Sequence, residues 1–269
     1  MNAHSYLLEK KKALERGANR FYLADGITAD NVLAAYQFKG VSSEQFALQD
    51  LSGHGYHLTK GSGKQGGNTY TPTWNIDTGF TFAAVYGGNC GYLDNSSLNS
   101  QLIKAVVVRY ADMTQNNRGY LVTAGGSDGY CQLMAACSIW EFDYRDEDHD
   151  DGSPGAGDVY HVVNKKGVGF VWYNSRWRYT TTFYASAIIG ANVGTSGKAY
   201  INGTGVNTSE SKSAWTNMSS KRTFGNSHAP ASDLNNAVHA GKKIICASFY
   251  NVALTDAQHK QIADAMAVI

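Results

Sequence analysis

The stretch "KKIICASFYNVALTDAQHKQIADAMAVI", residues 242–269, joins two different hydrophobic patterns. Its first half is an apolar and aromatic run of the kind that fills a buried β-strand. Its second half predicts an amphipathic helix, because apolar residues recur at helical spacing from Ile262 onward. Thr255 and Gln258 have the separation of a capping box, which marks the start of that helix. The chain is therefore expected to end in a strand followed by a helix that closes one edge or end of a sheet.

Short runs of the same strand type recur upstream, between clusters of Gly, Asn, Ser and Asp. The clearest are "NVLAAYQF" (31–38), "GFTFAAVY" (79–86), "IKAVVVRY" (103–110), "GYLVTA" (119–124), "DVYHVV" (158–163), "GVGFVWY" (167–173), "RYTTTFY" (178–184) and "KAYIN" (198–202). This spacing predicts a sandwich or barrel of short strands. Since no long helical pattern separates the strands, a parallel α/β sheet is not expected.

Charge and hydropathy exclude several classes of function. The formal net charge of +1 provides neither the basic footprint of a nucleic-acid-binding protein nor a basic face for anionic membranes. No apolar run approaches the ~20 residues that span a bilayer. The opening stretch, "MNAHSYLLEKKKALERG", places Lys and Glu where a secretory signal needs its apolar segment. We therefore expect production in the cytoplasm without a signal peptide, followed either by retention there or by release through a route that needs no signal, such as cell lysis by a phage.

Residues 4–16 predict a short helix with a narrow stripe of leucines, and Gly17 is a residue type that ends helices. A helix of about three turns is not stable alone in water. We therefore expect residues 1–28 to form an N-terminal helical arm that packs on the domain or on another subunit. Residues 29–269 are then expected to form one domain that includes the C-terminal helix.

The four cysteines are Cys90, Cys131, Cys137 and Cys246. None belongs to a C-x-x-C pair, so a zinc cluster is not expected. Cys131 and Cys137 would lie ~20 Å apart on one strand, which is too far for a disulfide. We expect buried, reduced thiols.

Several stretches resemble the laminin-G-like group of concanavalin A-type jelly rolls. The matching stretches are "AAYQF" (34–38), "LQDLSGHGYHLT" (48–59), "GKAYINGTGV" (197–206), "FGNS" (224–227) and "HAGKKIICASFYNVALTDAQHKQI" (239–262). The second is similar to that group's Asp-x-Ser-Gly-x-Gly turn, and the third to its Asn-Gly hairpin. The two ends of the chain carry the resemblance, and the middle, 60–196, aligns only as strands.

The resemblance implies an all-β fold, a concanavalin A-like jelly-roll sandwich of two antiparallel sheets with a C-terminal helix. Local chemistry agrees at Asn202-Gly203, a pair that suits a type I′ hairpin turn. His54 and His57 fall in the Ser-Gly turn and are interpreted as structural. Because this fold hosts lectins, adhesion modules, hydrolases and structural domains, it does not decide the function.

The acidic stretch "WEFDYRDEDHDDGSPG" (140–155) has an enzymatic interpretation. A glycoside hydrolase group on this fold uses Glu-x-Asp-x-(x)-Glu, with the first Glu as nucleophile and the last as acid/base. Glu141, Asp143 and either Asp146 or Glu147 loosely resemble that spacing. Retaining hydrolysis needs two carboxyl groups ~5–5.5 Å apart. The third acid departs from the pattern, so hydrolysis is the second hypothesis and not the first.

The same stretch has a calcium interpretation. Asp146, Asp148 and Asp150 offer carboxylates at alternate positions, which are ligands that Ca²⁺ takes. Gly152 and Gly157 stand where an EF-hand loop does not allow them, so only a looser calcium site is a candidate. The third interpretation is an acidic loop that self-repulsion keeps in water. The expected cofactor is therefore none, or calcium.

Aromatic residues concentrate in "VWYNSRWRYTTTFY" (171–184), where alternation along a strand cannot bury all of them on one side. Exposed Trp and Tyr with Arg are typical of carbohydrate- and protein-binding surfaces. The candidate ligand-binding residues are Trp172, Tyr173, Arg176, Trp177 and Tyr179. The alternative is that loops cover the rings and make them core.

The first functional hypothesis is a non-enzymatic recognition or structural module that binds a glycan, a host-surface ligand or a partner protein. The predicted context is a phage or prophage virion, as a fibre or capsid-decorating protein with a lectin-like adhesion domain. Residues 1–28 would contact other virion subunits or form a homotrimer. The alternatives are a glucanase-type glycoside hydrolase that uses Glu141 and Asp143, and a Ca²⁺-dependent lectin.

Overall fold

The computed structural model describes residues 20–65, 67–83, 85–86, 91–98, 101–112, 117–126, 129–137, 142–143, 161–162, 166–171, 178–179, 185–192, 198–206, 222–225, 238–239 and 241–269, with only the backbone in several strands. The strands, in chain order, are β1 Val32–Gln37, β2 Thr59–Gly61, β3 Gly63–Gln65, β4 Asn68–Tyr70, β5 Thr73–Asn75, β6 Gly79–Phe82, β7 Val85–Tyr86, β8 Tyr92–Asp94, β9 Ala105–Ala111, β10 Asn117–Gly126, β11 Gly129–Cys137, β12 Phe142–Asp143, β13 His161–Val162, β14 Lys166–Val171, β15 Arg178–Tyr179, β16 Ala187–Asn192, β17 Lys198–Ile201, β18 Thr204–Val206, β19 Arg222–Phe224, β20 Val238–His239 and β21 Lys242–Tyr250. The helices are α1 Glu44–Ala47 and α2 Asp256–Ala267.

The strands form two large sheets and two small ribbons. Sheet A has the order β18-β17-β16-β9-β21-β6-β5, and β1 also pairs with β21. Sheet B has the order β15-β14-β11-β10-β19-β8-β2, and β20 joins it by pairing with β10 and β7. The ribbons are β3-β4 and β12-β13. Every described pair is antiparallel except β10 with β20.

The first and last strands of the described sandwich are neighbours. In the β1-β21 pair, Val32 lies opposite Tyr250 and Gln37 lies opposite Cys246. Leu33 is an extra residue on β1, so both Leu33 and Ala34 face the core. The pairing of the two termini is the arrangement that the jelly-roll resemblance implies.

An aromatic cluster fills the space between the two sheets. Tyr36, Phe38 and Phe249 of the sheet A side surround Phe224 of sheet B, with ring centroids 5.7 to 6.3 Å apart. Most of these rings meet edge to face, the geometry that the ring quadrupole favours. All are fully buried, so the cluster joins the two sheets.

A second apolar layer covers the other face of sheet A. Ile262 and Met266 of α2 pack there with Phe21, and all three are buried. Sheet A is thus covered on both faces, which explains why β9 and β21 are apolar at nearly every position. A strand with one solvated face would alternate instead.

The predicted capping box starts helix α2. The backbone N–H of Gln258 donates to the Thr255 hydroxyl at 3.2 Å, and the Thr255 N–H donates to the Gln258 side chain at 2.8 Å. At the other end, Arg109 of β9 donates to the carbonyl of Met266 at 2.6 Å, which satisfies one of the orphan carbonyls of the last turn.

The Asn-Gly pair forms the hairpin between β17 and β18. Asn202 has a φ of 49° and Gly203 a φ of 78°, as a type I′ turn requires. A Cβ on Gly203 would lie 2.8 Å from the Cα of Lys260, so the glycine also lets α2 approach the hairpin. This prediction from the sequence is confirmed.

Of the predicted N-terminal arm, residues 1–28, the structure describes only residues 20–28. Residues 20–28 run along the domain without forming a helix. Phe21 is buried, the Tyr22 hydroxyl donates to the carbonyl of Leu51 at 3.1 Å, and Gln261 of α2 donates to the Asp25 carboxylate at 2.8 Å. The predicted helix, 4–16, lies outside the described residues, and the boundary between residues 28 and 29 stays a prediction.

Two further sequence predictions concern membranes and cysteines. Neither helix in the described part of the chain has the length and apolarity of a membrane span. Cys246 is free and buried, and burial raises the pKa of its thiol to about 12. Cys131 and Cys137 lie at different positions of β11, opposite Ala124 and Asn117. Cys90 lies outside the described residues.

Candidate functional site

The register of sheet B assigns its residues to two faces, because directly paired residues on neighbouring strands share a face. One row of paired residues runs through Leu93, Phe224, Val122, Leu133 and Phe170. Leu93 and Phe224 are fully buried in the core between the sheets. This row therefore lies on the inner face of sheet B, and the rows beside it fall on the outer face.

The first outer row crosses six strands and has polar residues on five of them. It runs through Thr59 of β2, Asp94 of β8, Thr223 of β19, Thr123 of β10, Gln132 of β11 and Val171 of β14. Thr59 is exposed and Asp94 is half-buried. Six strands span about 24 Å at the usual spacing. By register, residue types with hydroxyl, carboxylate or amide side chains therefore occupy five of the six positions of this row.

The second outer row contains tyrosines. It runs through Tyr120 of β10, Met134 of β11, Gly169 of β14 and Tyr179 of β15. Leu121 is an extra residue on β10, and it is buried in the core. As at Leu33 of β1, the bulge puts two consecutive residues on the inner face, so the row of Tyr120 falls outside.

The turn between β1 and β2 is built around Asp50, which is 8% exposed. Its carboxylate accepts hydrogen bonds from the backbone N–H groups of Ala35 at 3.0 Å, Ser52 at 2.9 Å and Tyr56 at 3.1 Å. It also accepts from the Ser52 hydroxyl at 2.8 Å. These bonds hold the turn on β1 and satisfy a charge that would otherwise be costly to bury.

This turn contains a serine, a histidine and an aspartate, but not in a nucleophilic arrangement. The Ser52 hydroxyl bonds to Asp50 directly, and its contact with Nδ1 of His54 is longer, at 3.3 Å. A catalytic triad instead places the histidine between the serine and the acid. Nδ1 of His57 accepts from the backbone N–H of Asp50 at 3.1 Å. Both histidines therefore support the turn, as interpreted from the sequence.

Two of the predicted site residues fall in described strands. Asp143 lies in β12, opposite His161. Tyr179 lies in β15 at one edge of sheet B, opposite Gly169. The remaining predicted residues lie outside the described ones: Glu141, Asp146, Glu147, Asp148, Asp150, Trp172, Tyr173, Arg176 and Trp177. The structure thus brings Tyr179 to the second outer row of sheet B and places Asp143 on a separate ribbon.

No metal-binding cluster is present within the described part of the chain, where no three His, Cys, Asp or Glu side chains converge. The carboxylates proposed for calcium are not among the residues searched. The calcium site at Asp146, Asp148 and Asp150 stays a prediction.

Sequence reasoning missed the polar outer row altogether. Thr123 and Gln132 alternate with apolar neighbours, which is a signal within each strand. No signal in the sequence pairs Asp94 with Thr223, because these residues are far apart along the chain and meet only through the register of β8 and β19.

No known family model and no curated protein matches the chain. Solved structures do match its fold. Domain 4 of AbnA, a GH43 extracellular arabinanase from Geobacillus stearothermophilus solved with arabinotriose, has a TM-score of 0.51 at 15% identity. That match covers 87% of this chain and 98% of the arabinanase domain.

Binding domains of botulinum neurotoxins match as well. The DC binding domain solved with rat synaptotagmin II has a TM-score of 0.51 at 12% identity, over 88% of this chain and 52% of that one. A type C neurotoxin structure, whose cell entry depends on two ganglioside molecules, has the same four values. This chain thus spans about half the length of the neurotoxin chains.

These likenesses show the fold and confirm its predicted class. The protein is an all-β sandwich of two largely antiparallel sheets with a C-terminal helix, similar to jelly-roll-like carbohydrate-binding domains. The narrower laminin-G-like assignment remains a resemblance of the two chain ends.

Proposed function

We propose that this protein is a non-enzymatic binding module that holds a glycan on the outer face of sheet B. The observation that carries the proposal is the polar row from Thr59 to Gln132, which lies beside a row containing Tyr120 and Tyr179. A glycan presents many hydroxyl groups and, on each ring, one apolar face. Hydroxyl, amide and carboxylate groups bond to the former, and aromatic rings stack on the latter.

The coverage of the two sheets favours sheet B over sheet A. On sheet A, α2 and residues 20–31 already pack against the outer face, and their apolar side chains are buried there. On sheet B, the described end of the outer polar row is exposed at Thr59. The composition of the two outer faces agrees with this difference in coverage: the covered outer face of sheet A is apolar, and the outer row of sheet B is largely polar.

The structural neighbours support a binding role without naming the ligand. The arabinanase domain was solved with arabinotriose, and the neurotoxin domains are described with synaptotagmin and with gangliosides. Glycan and protein ligands both occur on this fold. The polar and aromatic composition of the outer rows favours a glycan here.

The position of Asp143 supports binding over hydrolysis. Its strand, β12, pairs with β13 in a two-stranded ribbon that is not part of sheet B, so Asp143 belongs to neither outer row. We expect no increase in reducing ends when the protein is incubated with β-glucans or arabinan. Turnover that disappears in Glu141→Gln would replace this proposal with the hydrolase.

A glycan array tests the binding role. We expect the full chain to bind a subset of printed oligosaccharides, and Tyr179→Ala, Thr123→Val and Gln132→Leu each to weaken that binding about ten-fold, the effect of one lost hydrogen bond or stacking contact. The matched control is Thr73→Val, which removes an exposed hydroxyl from β5 at the edge of sheet A. Equal binding by all four variants would exclude this face.

The predicted context, a virion fibre or capsid decoration, is part of the proposal. Residues 20–28 lie against the outer side of sheet A, opposite the proposed glycan face. The segment that precedes them in the sequence is residues 1–19. We propose that this segment contacts other virion subunits or forms a trimer. Light scattering should then show a trimer for the full chain and a monomer after deletion of residues 1–19. A monomeric full chain that does not bind virions would contradict it.

A further inference from the structure

We propose that the outer face of sheet A carries a docking surface for an acidic segment of a partner protein. Three half-buried cationic residues, Lys39, Arg109 and Lys243, form a basic patch just beyond the last turn of α2, and the exposed Val268 lies beside it. The patch is on the side of the sandwich opposite the proposed glycan face, and it is independent of the proposed function.

The register of sheet A brings Arg109 and Lys243 together on the outer face. The Arg109 guanidinium group donates to the carbonyl of Met266 in α2, the helix that covers this face. Lys243 of β21 lies opposite Ala111, which is two residues after Arg109 on β9 and therefore on the same face. Diagonal neighbours of this kind are about 7–8 Å apart, so the two cationic side chains are neighbours.

Lys39 approaches the same point from the other side of β21. Its N–H donates to the carbonyl of Ile245 at 3.2 Å, and it follows Phe38, whose ring is in the core, so alternation directs Lys39 outward. Burial raises the pKa of the Cys246 thiol on this face to about 12, and the charges of Arg109 and Lys39 act in the opposite direction. Two strand spacings, about 10 Å, separate the backbones that carry these two cations.

The patch retains an excess of positive charge. Lys243 forms an ion pair with Asp112, whose side chain is 61% exposed. Within the described part of the chain, Lys39 forms no ion pair, and neither does Asp77, which is exposed on the turn between β5 and β6. Arg109 contacts the helix carbonyl through Nη1, one nitrogen of a fork that carries five N–H donors. A carboxylate from another molecule can therefore bond to Arg109 and Lys39 together.

The size and composition of the patch favour an acidic protein segment over a nucleic acid. Three cations match one or two carboxylates, whereas DNA-binding proteins contact about six to ten phosphates, and the whole chain has a net charge of only +1. Val268, at the end of α2, is 71% exposed, more than any other large apolar side chain in the part of the chain that the structure describes. Apolar contact beside paired charges is typical of protein interfaces. The expected partner segment thus has an apolar residue between acidic ones.

Fluorescence anisotropy with a labelled peptide, Glu-Leu-Glu-Glu-Leu-Glu, tests the docking surface on the full chain. We expect this peptide to bind, and its affinity to fall as salt is raised, because exposed charges are screened. The counterpart with glutamine in place of glutamate should bind at least ten-fold more weakly. A heparin oligosaccharide and a short DNA duplex, measured at the same ionic strength, should bind more weakly than the acidic peptide.

Two substitutions should change the affinity for the acidic peptide in opposite directions. Lys39→Gln should weaken binding about five-fold, the effect of one lost ion pair near the surface. Asp112→Asn should strengthen binding about two-fold, because it releases Lys243 from its ion pair. The matched control is Lys64→Gln, which removes the same charge from the exposed β3-β4 ribbon and should change nothing. Circular dichroism checks that each variant is folded.

The outcomes separate the docking surface from the glycan face. An equal loss of affinity in Lys39→Gln and Lys64→Gln would show that only net charge matters and would overturn the patch. Equal binding of the two peptides, or binding of neither, would overturn it as well. Tighter binding of heparin or DNA than of the acidic peptide would overturn the choice of a protein partner. Glycan-array signals should be the same for Lys39→Gln and the natural protein, and a chain that binds the peptide but no glycan would contradict the proposed function alone.

Discussion

At the scale of single residues, a glycine of sheet A allows helix α2 to pack closely against the sheet. Gly190 of β16 lies beneath His259 of α2, and a Cβ there would be 2.6 Å from Nδ1 of the imidazole. The His259 ring stacks on Tyr200 with centroids 3.6 Å apart, and its Nε2 lies 3.1 Å from the Asn192 amide oxygen. The histidine therefore has little freedom to move.

Gly190→Ala should destabilise the protein, because the new methyl group overlaps a buried ring that is held on three sides. We expect the free energy of unfolding to fall by about 2 kcal/mol, in the range for overpacked cores. Urea titration measures it. In a His259→Ala background the same change should cost close to nothing, since the ring is gone. An equal cost in both backgrounds would show that the glycine is needed for another reason.

The buried thiol of Cys246 predicts a dependence on alkaline pH. Its pKa is raised from 9.0 to about 12 in the folded protein, chiefly by desolvation. Below pH 9 the thiol is protonated in both states, so its contribution to stability is complete. Above pH 9 the thiol ionises only in the unfolded chain, and each further pH unit lowers the free energy of unfolding by up to about 1.4 kcal/mol.

Equilibrium unfolding at several values between pH 8 and pH 11 tests this prediction. Cys246→Ala should show a shallower loss of stability over that range than the natural protein. Part of the loss should remain, because burial also raises the pKa of Tyr200 and Tyr250. Identical slopes for the two proteins would contradict the assignment to the thiol.

At the scale of elements, α2 and sheet A depend on each other. The helix buries His259, Ile262, Ala263 and Met266 against the sheet, and the sheet residue Arg109 caps its last turn. Asn192 of β16 bonds to both backbone groups of Leu254, at 2.9 and 2.7 Å, just before the helix begins. The strand side chains thus fix where the helix starts and where it ends.

Thr255→Ala should weaken this end of the helix, because the N–H of Gln258 loses its acceptor. We expect a loss of about 1 kcal/mol in the free energy of unfolding, the usual effect of removing an N-cap. Thermal denaturation measures it, and Thr255→Ser is the matched control because serine retains the hydroxyl. A Ser variant as unstable as the Ala variant would mean that the methyl group matters, not the cap.

At the scale of the whole molecule, the sandwich separates its two outer faces by chemistry. The outer face of sheet A is apolar where α2 and residues 20–31 cover it, while the outer rows of sheet B are polar and aromatic. An attached segment and a ligand can therefore occupy opposite sides. Attachment of the protein to a particle through the sheet A side would therefore leave the proposed glycan-binding face accessible.

Calcium provides a test at this scale. Asp94 is the single carboxylate of the polar outer row, so we expect glycan binding on that face to need no metal, and Tm to be the same in calcium and in EDTA. A ligand that binds only the folded state raises Tm. A rise in calcium that Asp148→Asn abolishes would establish a site in the stretch 146–150 and favour the Ca²⁺-dependent lectin. The control is Asp264→Asn on the exposed surface of α2.

The sequence by itself determined the elements that local chemistry specifies. The capping box at Thr255, the hairpin at Asn202-Gly203 and the apolar run of β21 each depend on residues close together in the chain, so their patterns could be interpreted directly. The resemblance of the two chain ends supplied the pairing of the first and last strands.

Only the tertiary structure decided which face of each sheet is covered. The outer rows of sheet B arise because β2, β8, β19, β10 and β11, which are scattered over the chain, lie side by side in one register. A shift of one residue in that register would exchange the two faces, and no pattern within a single strand fixes the register between strands. For the same reason the sequence indicated Tyr179 but not Asp94 or Thr59, whose partners are defined by pairing across the sheet.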